Sequence, residues 1–325
     1  MIVKTALITG VSGQDGALLA AYLLAKGYRV AATSRDPERT SFHNLTALGI
    51  RERVELHAMT STDADGIARV LRAVEPHEIY NLAGQSSVGA SFDQPLTTFE
   101  SIALGTIHLL EAIRIGVPGA RYFNASSGEC FGETTLAGAN ESTPFCPSSP
   151  YGVAKASSYW TTATYRESYG IFACSGLLFN HESPMRTAHF VTRKIVAAAC
   201  RIAAGSGERL RLGDVTVRRD WGWAPEYVEA MWRMLQRDAP ADFVIATGQS
   251  HTLDDLVSTA FAEVGLVAKD HVDFDASLVR PRETSCSVGD PTRAREVLGW
   301  QARSNMRDVV RNLVAAERRS APPAP

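Results

Sequence analysis

The first half of the chain alternates two patterns. Short apolar runs give way to longer stretches with helical spacing, and the runs show no polar alternation. Thr5-Ala-Leu-Ile-Thr9 closes on a glycine and predicts a buried strand; ALLAAYLLAKGY after it predicts a helix. Arg29 to Thr33 predicts the second strand, Val54 to Met59 the third and Glu78 to Asn81 the fourth. Arg121 to Ala125 predicts the fifth and Phe172 to Leu178 the sixth. Between them, Asp63 to Val74 is amphipathic, Leu96 to Ile113 reads as one long helix, and another helix starts near Pro150. This alternation predicts an α/β fold built on a doubly wound parallel sheet. The rhythm breaks at Asn180-His-Glu-Ser-Pro184. A helix over Val191 to Ala204 follows, and the remainder is mixed α/β. The expected division is a first domain over 1–179 with a returning segment at about 219–243, and a smaller domain made of 180–218 and 244–325.

Composition narrows the classes. The chain has 325 residues, 45% hydrophobic and 21% charged, the profile of a soluble globular protein. A net charge of -2 leaves no electrostatic footprint for nucleic acid. No apolar run reads as long enough to cross a bilayer, and MIVKTALITG is too short for a signal peptide. Cys130, Cys146, Cys174, Cys200 and Cys286 lack CxxC spacing, which fits a reducing cytosol rather than a disulfide framework or structural zinc. The tail from Arg318 to Pro325 reads as disordered.

Candidate chemistry falls where such a sheet would collect it, at the carboxyl ends of the strands. Gly10, Gly13 and Gly16 punctuate the turn from the first strand into the first helix. Glycines there let the backbone approach a pyrophosphate, and the helix N-terminus supplies N–H groups and a favourable dipole. The spacing is GxxGxxG rather than GxGxxG. Ser34-Arg35-Asp36 follows the second strand. At that point an arginine accepts a 2'-phosphate and an acid binds a free 2'-hydroxyl, so Arg35 points to NADP and Asp36 to NAD. Leu82-Ala83-Gly84-Gln85-Ser86 follows the fourth strand. Its small residues would let a cofactor pass, and a plain strand-to-loop turn would read the same.

The fifth strand delivers Ser127 and Glu129 to the same edge. Tyr151 and Lys155, four apart, share one helix face. A cation beside a phenol lowers its pKa and makes a base for a hydroxyl proton near neutral pH. Ser127 can donate a hydrogen bond to the same oxygen. Glu129 is a second acid/base, which alcohol oxidation alone does not need. YxxxK also arises by chance at helix starts. His181 and Glu182 are two metal-ligand types without a third, so no metal site is expected. Arg218-Arg219-Asp220-Trp221 and Arg280-Pro281-Arg282-Glu283 cluster cations with carboxylates. They read as surface ion pairs or as a clamp for a diphosphate and a base.

Longer motifs run in order through most of the chain. They are ITGVSGQDG (8–16), YNLAGQSSVGASF (80–92), TPFCPSSPYGVAK (143–155), FNHESPMR (179–186), FVTRK (190–194), RRDWGWAPEYVEAMW (218–232), DFVIATG (242–248) and GDPTRAREVLGW (289–300). On these the chain resembles the extended short-chain dehydrogenase/reductases and, within them, the GDP-mannose 4,6-dehydratase family. The resemblance implies a Rossmann domain with a smaller GDP-sugar-binding domain. It implies Tyr151 as base, Lys155 as its activator, Glu129 as acid/base, and Ser127 where the family usually carries threonine. Gly10, Ser12, Gly13, Gln14, Asp15, Gly16, Arg35, Leu82, Ala83 and Gln85, with Tyr151 and Lys155, match the NADP site. Ser86, Asn180, Val191, Lys194, Arg219, Arg280 and Glu283 match GDP-sugar contacts. The implied reaction is an internal redox cycle: oxidation at C4, loss of water across C5–C6, hydride return to C6. The implied assembly is a homo-tetramer or homo-dimer in the cytoplasm, with no nucleic-acid or membrane partner. Asp36 and Thr60 depart from the family pattern. Ser127-Gly128 in place of Thr-Ser also resembles the GDP-4-keto-6-deoxymannose reductases, which lack FNHESP and FVTRK. A related GDP-sugar such as a GDP-heptose stays open as substrate. A non-enzymatic NADP-binding sensor would be expected to lose Tyr151, Lys155 or Glu129.

Overall fold

Runs that are apolar on both faces can only be strands covered on both sides, and the computed structural model of the chain shows how they are covered. It describes residues 3–279 and 282–320. The first half comprises β1 (Thr5–Thr9), α1 (Gln14–Ala25), β2 (Arg29–Ser34), α2 (His43–Ala47), β3 (Glu55–Ala58), α3 (Ala64–Val74), β4 (Glu78–Asn81), α4 (Val88–Asp93), α5 (Pro95–Phe99), α6 (Gly105–Gly116), β5 (Arg121–Ser127), α7 (Pro150–Tyr169) and β6 (Ala173–Leu178). The second comprises β7 (Asn180–Glu182), α8 (Val191–Ala203), β8 (Leu210–Leu212), β9 (Arg218–Arg219), β10 (Trp221–Trp223), α9 (Ala224–Leu235), β11 (Phe243–Ile245), β12 (His251–Thr252), α10 (Leu253–Glu263), β13 (Val272–Phe274), β14 (Cys286–Ser287), α11 (Thr292–Leu298) and α12 (Met306–Ser320).

Seven strands form one parallel sheet in the order β11-β6-β5-β4-β1-β2-β3. Neighbouring residues of a strand face opposite layers. Ile8 packs with Leu19, Leu23, Met231 and Met234 from α1 and α9. Leu7 packs with Ile67, Leu71, Leu109 and Ile113 from α3 and α6. The order reverses between β1 and β4, so the loops after those strands flank the crevice where such folds bind ligands.

Three expectations change. β5 runs to Ser127, two residues past the expected end, so Ser127 is the last strand residue rather than a loop residue. The helix expected over Leu96 to Ile113 spans Pro95–Gly116, with a π-helical turn at Glu100–Leu104. Its 22 residues, at mean hydropathy 1.2, meet the length and composition for crossing a membrane, contrary to the sequence reading. Here Ile102, Leu109, Leu110 and Ile113 are buried in the protein and the helix packs on α3 and α7, the marks of a core helix. Finally, Arg318 to Ser320 belong to α12 rather than to a disordered tail.

The second half uses shorter strands. α8, α10 and α12 enclose a separate core around Trp221, with Ile195, Leu256, Phe261, Val309 and Leu313. β7 pairs with β10, β8 with β13, and β9 lies between β12 and β14. α9 packs on α1, and β11 returns to the edge of the main sheet beside β6.

Candidate active site

The glycine turn is built for close approach. Gly10 has φ +75°, and a Cβ there would lie 2.8 Å from the Leu82 carbonyl and the Ala83 nitrogen. The β1 and β4 loops therefore touch backbone to backbone. Thr9 locks them, its Oγ1 accepting from the N–H groups of Leu82 and Ala83, each at 3.1 Å. A Cβ on Gly16 would lie 2.4 Å from the Gly10 oxygen, so α1 starts hard against the turn. Ser12 and Gly13 are exposed at its tip. No side chain caps α1, which leaves its first-turn N–H groups directed into the crevice. That arrangement fits the diphosphate of a dinucleotide cofactor.

Gln14 and Asp15 turn their side chains inward. Gln14 Nε2 donates to Asp15 Oδ1 (3.0 Å) and to the His181 carbonyl (3.1 Å), while Ser183 Oγ donates to Gln14 Oε1 (2.9 Å). Asp15 Oδ2 accepts from His181 Nε2 at 2.9 Å. Burial pushes the Asp15 carboxyl up, but the charge and hydrogen bond of His181 outweigh it and hold it at about 2. Both side chains are thus tied to β7 and the loop after it. Gln85 is similarly engaged, donating to the Ser87 carbonyl at 2.8 Å and accepting from the Ser87 N–H. Ser86 is exposed beside it.

At the end of β2, Arg35 is exposed. Asp36 is not its equal as a ligand, because Asp36 Oδ1 accepts from the N–H groups of Glu38 (3.1 Å) and Arg39 (3.0 Å) in its own turn. Thr60 is exposed after β3, and Asp63 beyond it caps α3 through the Gly66 N–H.

Ser127, Glu129, Tyr151 and Lys155 come together between β5 and α7. Ser149 caps α7 through the Gly152 N–H at 3.0 Å, and Pro150 takes the first helical position. A Cβ on Gly152 would lie 2.7 Å from the Glu129 carbonyl, so the helix start presses on the Glu129 turn. Ser127 Oγ accepts the Glu129 N–H at 3.2 Å and lies near the Tyr151 hydroxyl, where it lowers the phenol's pKa. Tyr151 differs from the sequence reading. Burial raises its phenol well above the ordinary value, and the Glu129 charge adds to this, against the Ser127 hydroxyl. Lys155 does not offset it, because its Nζ donates to the Ala125 carbonyl at 2.6 Å and lies 5.7 Å from the ring centre. Burial lowers the Lys155 ammonium to about 8, with Cys130 and Asp15 pulling it back. Cys130, unnoticed in sequence beyond its place in a count, is fully buried beside Ser126, and burial raises its thiol to about 11.

The residues expected at a GDP-sugar are more spread. Asn180 is half-buried at the start of β7, and Val191 opens α8. Lys194 is exposed and donates to the Arg211 carbonyl at 2.8 Å. Arg219 is buried and pairs with half-buried Glu283 at 2.7 Å, so this part of the two clusters is a part-buried pair rather than a surface network. Arg280 lies outside the described residues. His181, weighed in sequence only as a metal ligand, uses both ring nitrogens in hydrogen bonds, Nε2 to Asp15 and Nδ1 to the Phe179 carbonyl (2.7 Å). Its position in FNHESP was the available signal; the partner 166 residues away was not.

A dinucleotide-type glycine turn facing a Ser-Tyr-Lys set across a seven-stranded parallel sheet defines an extended short-chain dehydrogenase/reductase. The family model described as GDP-mannose 4,6 dehydratase matches residues 7–313. The chain is 42% identical to GDP-mannose 4,6 dehydratase 1 of Arabidopsis thaliana over 96% of its own length and 89% of that protein. It is also 42% identical to GDP-mannose 4,6-dehydratase of Sinorhizobium fredii over 96% and 95% of the two chains. Among solved structures, UDP-glucose 4-epimerase of Thermus thermophilus in complex with NAD superposes with a TM-score of 0.85 at 25% identity, over 98% and 100% of the chains. The chain belongs to the GDP-mannose 4,6-dehydratase family.

Proposed function

We propose that the protein converts GDP-mannose to GDP-4-keto-6-deoxymannose and water with a nicotinamide cofactor that is regenerated in each turnover. The observation that carries this is Glu129 on the turn that holds Ser127 against Tyr151. Oxidation of an alcohol needs one base; a second acid/base beside it is what elimination across C5–C6 needs. The α1 turn and the Leu82-Ala83 backbone would hold the cofactor, which when bound would supply hydride acceptance at C4 and hydride return at C6. Tyr151 takes the O4 proton, with Ser127 placed to bond to the same oxygen. Lys155 shares the buried cluster, its ammonium bonded to the Ala125 carbonyl, and would have to turn from that acceptor to activate Tyr151. Glu129 takes the C5 proton, acidified by the C4 ketone, as water leaves C6. Gly128, which resembles the reductases, has a packing reason: a Cβ there would lie 2.9 Å from the Phe179 ring. The reductase reading loses its main support.

Arg35 exposed and Asp36 engaged in its own turn favour NADP over NAD. Equal affinity for NADPH and NADH would remove that assignment. The five cysteines are free thiols, which supports a cytoplasmic setting. The outer faces of α5, α6 and α7 expose Leu96 (78%), Ile107, Val153 and Trp160 (60%), which favours self-association as a homo-dimer or homo-tetramer. Light scattering that returned a monomer would remove the assembly.

The reaction is tested by mixing the protein with GDP-mannose, without added reductant, in deuterated water. Mass spectrometry should show loss of one water and gain of deuterium at C5. With Glu129→Gln, oxidation at C4 should proceed and elimination stall, so NADPH absorbance should build and persist. Dehydration by Glu129→Gln at near the wild-type rate would sink the assignment of Glu129.

A further inference from the structure

We propose that His181 is a positioning residue for the cofactor: its imidazolium neutralises Asp15, which α1 carries in its first turn, and thereby lets that turn accept an anionic diphosphate. This rests on the reading of the α1 N-terminus as the diphosphate site. Asp15 is the acidic residue of that first turn. A carboxylate there is favoured by the helix dipole, but it competes with a diphosphate for the same field. The structure removes the competition by pairing. Asp15 Oδ2 meets His181 Nε2 at 2.9 Å, and His181 Nδ1 meets the Phe179 carbonyl at 2.7 Å. A carboxylate and a carbonyl only accept, so both ring nitrogens carry hydrogen and the ring is charged. The ring is fixed from its face by Tyr227, with centres 4.4 Å apart and planes at 20°.

The groups facing His181 are Asp15 from α1, Glu182 from β7, Arg186 from the following loop and Tyr227 from α9. Burial and Arg186 disfavour the imidazolium, Asp15 favours it, and the balance raises the His181 pKa above its ordinary value. His181 also follows Asn180 directly on β7, and Gln14 is bonded to the His181 carbonyl and to Ser183. The strand expected to meet the nucleotide sugar and the turn expected to meet the cofactor are therefore one clasp. Loss of the His181 charge leaves a bare carboxylate beside the diphosphate. A unit charge several ångströms from an anion near a protein surface is worth about a factor of ten or more in affinity.

The test is NADPH binding, read by fluorescence across pH, for wild type, His181→Gln, Asp15→Asn and the double variant. His181→Gln should bind about tenfold more weakly or worse. Asp15→Asn should bind more tightly than His181→Gln, and the double variant, which has lost both charges, should recover to about the wild-type level. Wild-type affinity should fall as pH rises through the raised His181 pKa; Asp15→Asn, which keeps Lys155, should lose that step. A double variant as weak as His181→Gln, or a His181→Gln that binds like wild type, overturns the inference. If His181→Gln does not fold, Asp15→Asn decides alone: an unchanged alkaline step overturns it. Wild type that binds no NADPH at any pH sinks the diphosphate reading itself.

Discussion

Asp15, at the start of α1, faces a histidine; Asp220, between β9 and β10, faces neutral donors. Burial pushes both carboxyls up. The His181 charge and hydrogen bond more than cancel that push and hold Asp15 at about 2. Asp220, 1% exposed, accepts the N–H and O–H of Thr247 (2.9 and 2.7 Å) and the N–H of Gly248 (2.9 Å), yet burial still raises it to about 6. Neutral donors reduce the cost of a buried carboxylate, and a cation reverses it. A second contrast separates the halves. β1 to β6 have four to seven residues each and satisfy their backbones along the ladder. β7 to β10 have two or three, and side chains do the joining: Arg219 to Glu283 at 2.7 Å, Arg209 to Asp273 at 2.8 Å, Arg211 to Asp275 at 2.9 Å, and Asp220 to the loop after β11. The first half can concentrate titratable groups at one sheet edge because its ladder does not depend on them.

That division can be broken from either side. The largest effect belongs to the sheet edge. Tyr151→Phe should lower kcat by about 10²–10⁴-fold, the usual worth of a positioned proton-transfer group. Because the frame does not depend on that hydroxyl, the melting temperature and NADPH affinity should stay near wild type. A large fall in stability would mean that the two halves are not divided in this way.

Asp220→Ala should do the reverse. It removes the acceptor of three hydrogen bonds, from the N–H and O–H of Thr247 and the N–H of Gly248, each worth about 1 kcal/mol. Urea unfolding should show a loss of about 3 kcal/mol, and hydrogen exchange should place it around Thr247 and Gly248. An unmoved midpoint would show that the second half has other joints sufficient to hold it.

The contrast also explains what the sequence disclosed. β1 and β4 have the predicted bounds because a strand buried on both faces is an uninterrupted apolar run. The candidate set between β5 and α7 was legible for a local reason: Ser127 and Glu129 are two apart, and Tyr151 and Lys155 share a helix face. The strands of the second half were not legible, since two or three residues carry no period. Nor were contacts across long separations, such as Asp15 with His181 or Arg219 with Glu283. The direction of the Lys155 ammonium was hidden too, because spacing places a side chain on a face without choosing its acceptor. Asp63 capping α3 and Ser149 capping α7 were local signals of the kind sequence does carry.

The smallest expected effect is also the closest test of the two aspartates, and it lies in the pH dependence of stability. The folded pKa of Asp15, about 2, is below its ordinary value, so its contribution is present above about pH 4 and lost as pH falls toward 2. The folded pKa of Asp220, about 6, is above its ordinary value. Folding therefore favours its protonated form, and that contribution is present below about pH 4 and lost as pH rises through 6. Asp220→Asn does not titrate. Its stability deficit against wild type should shrink as pH rises from about 4 to about 7, by about 2 kcal/mol or less. Asp15→Asn should differ in form: its difference from wild type should change on the acid side of about pH 4, where Asp15 loses its charge, and again where His181, whose raised pKa depends on Asp15, loses its proton. Urea unfolding of the three proteins across the window reads both slopes. Parallel curves for Asp220→Asn and wild type would mean that the neutral donors alone hold the Asp220 carboxylate charged, and that the two aspartates are not opposites.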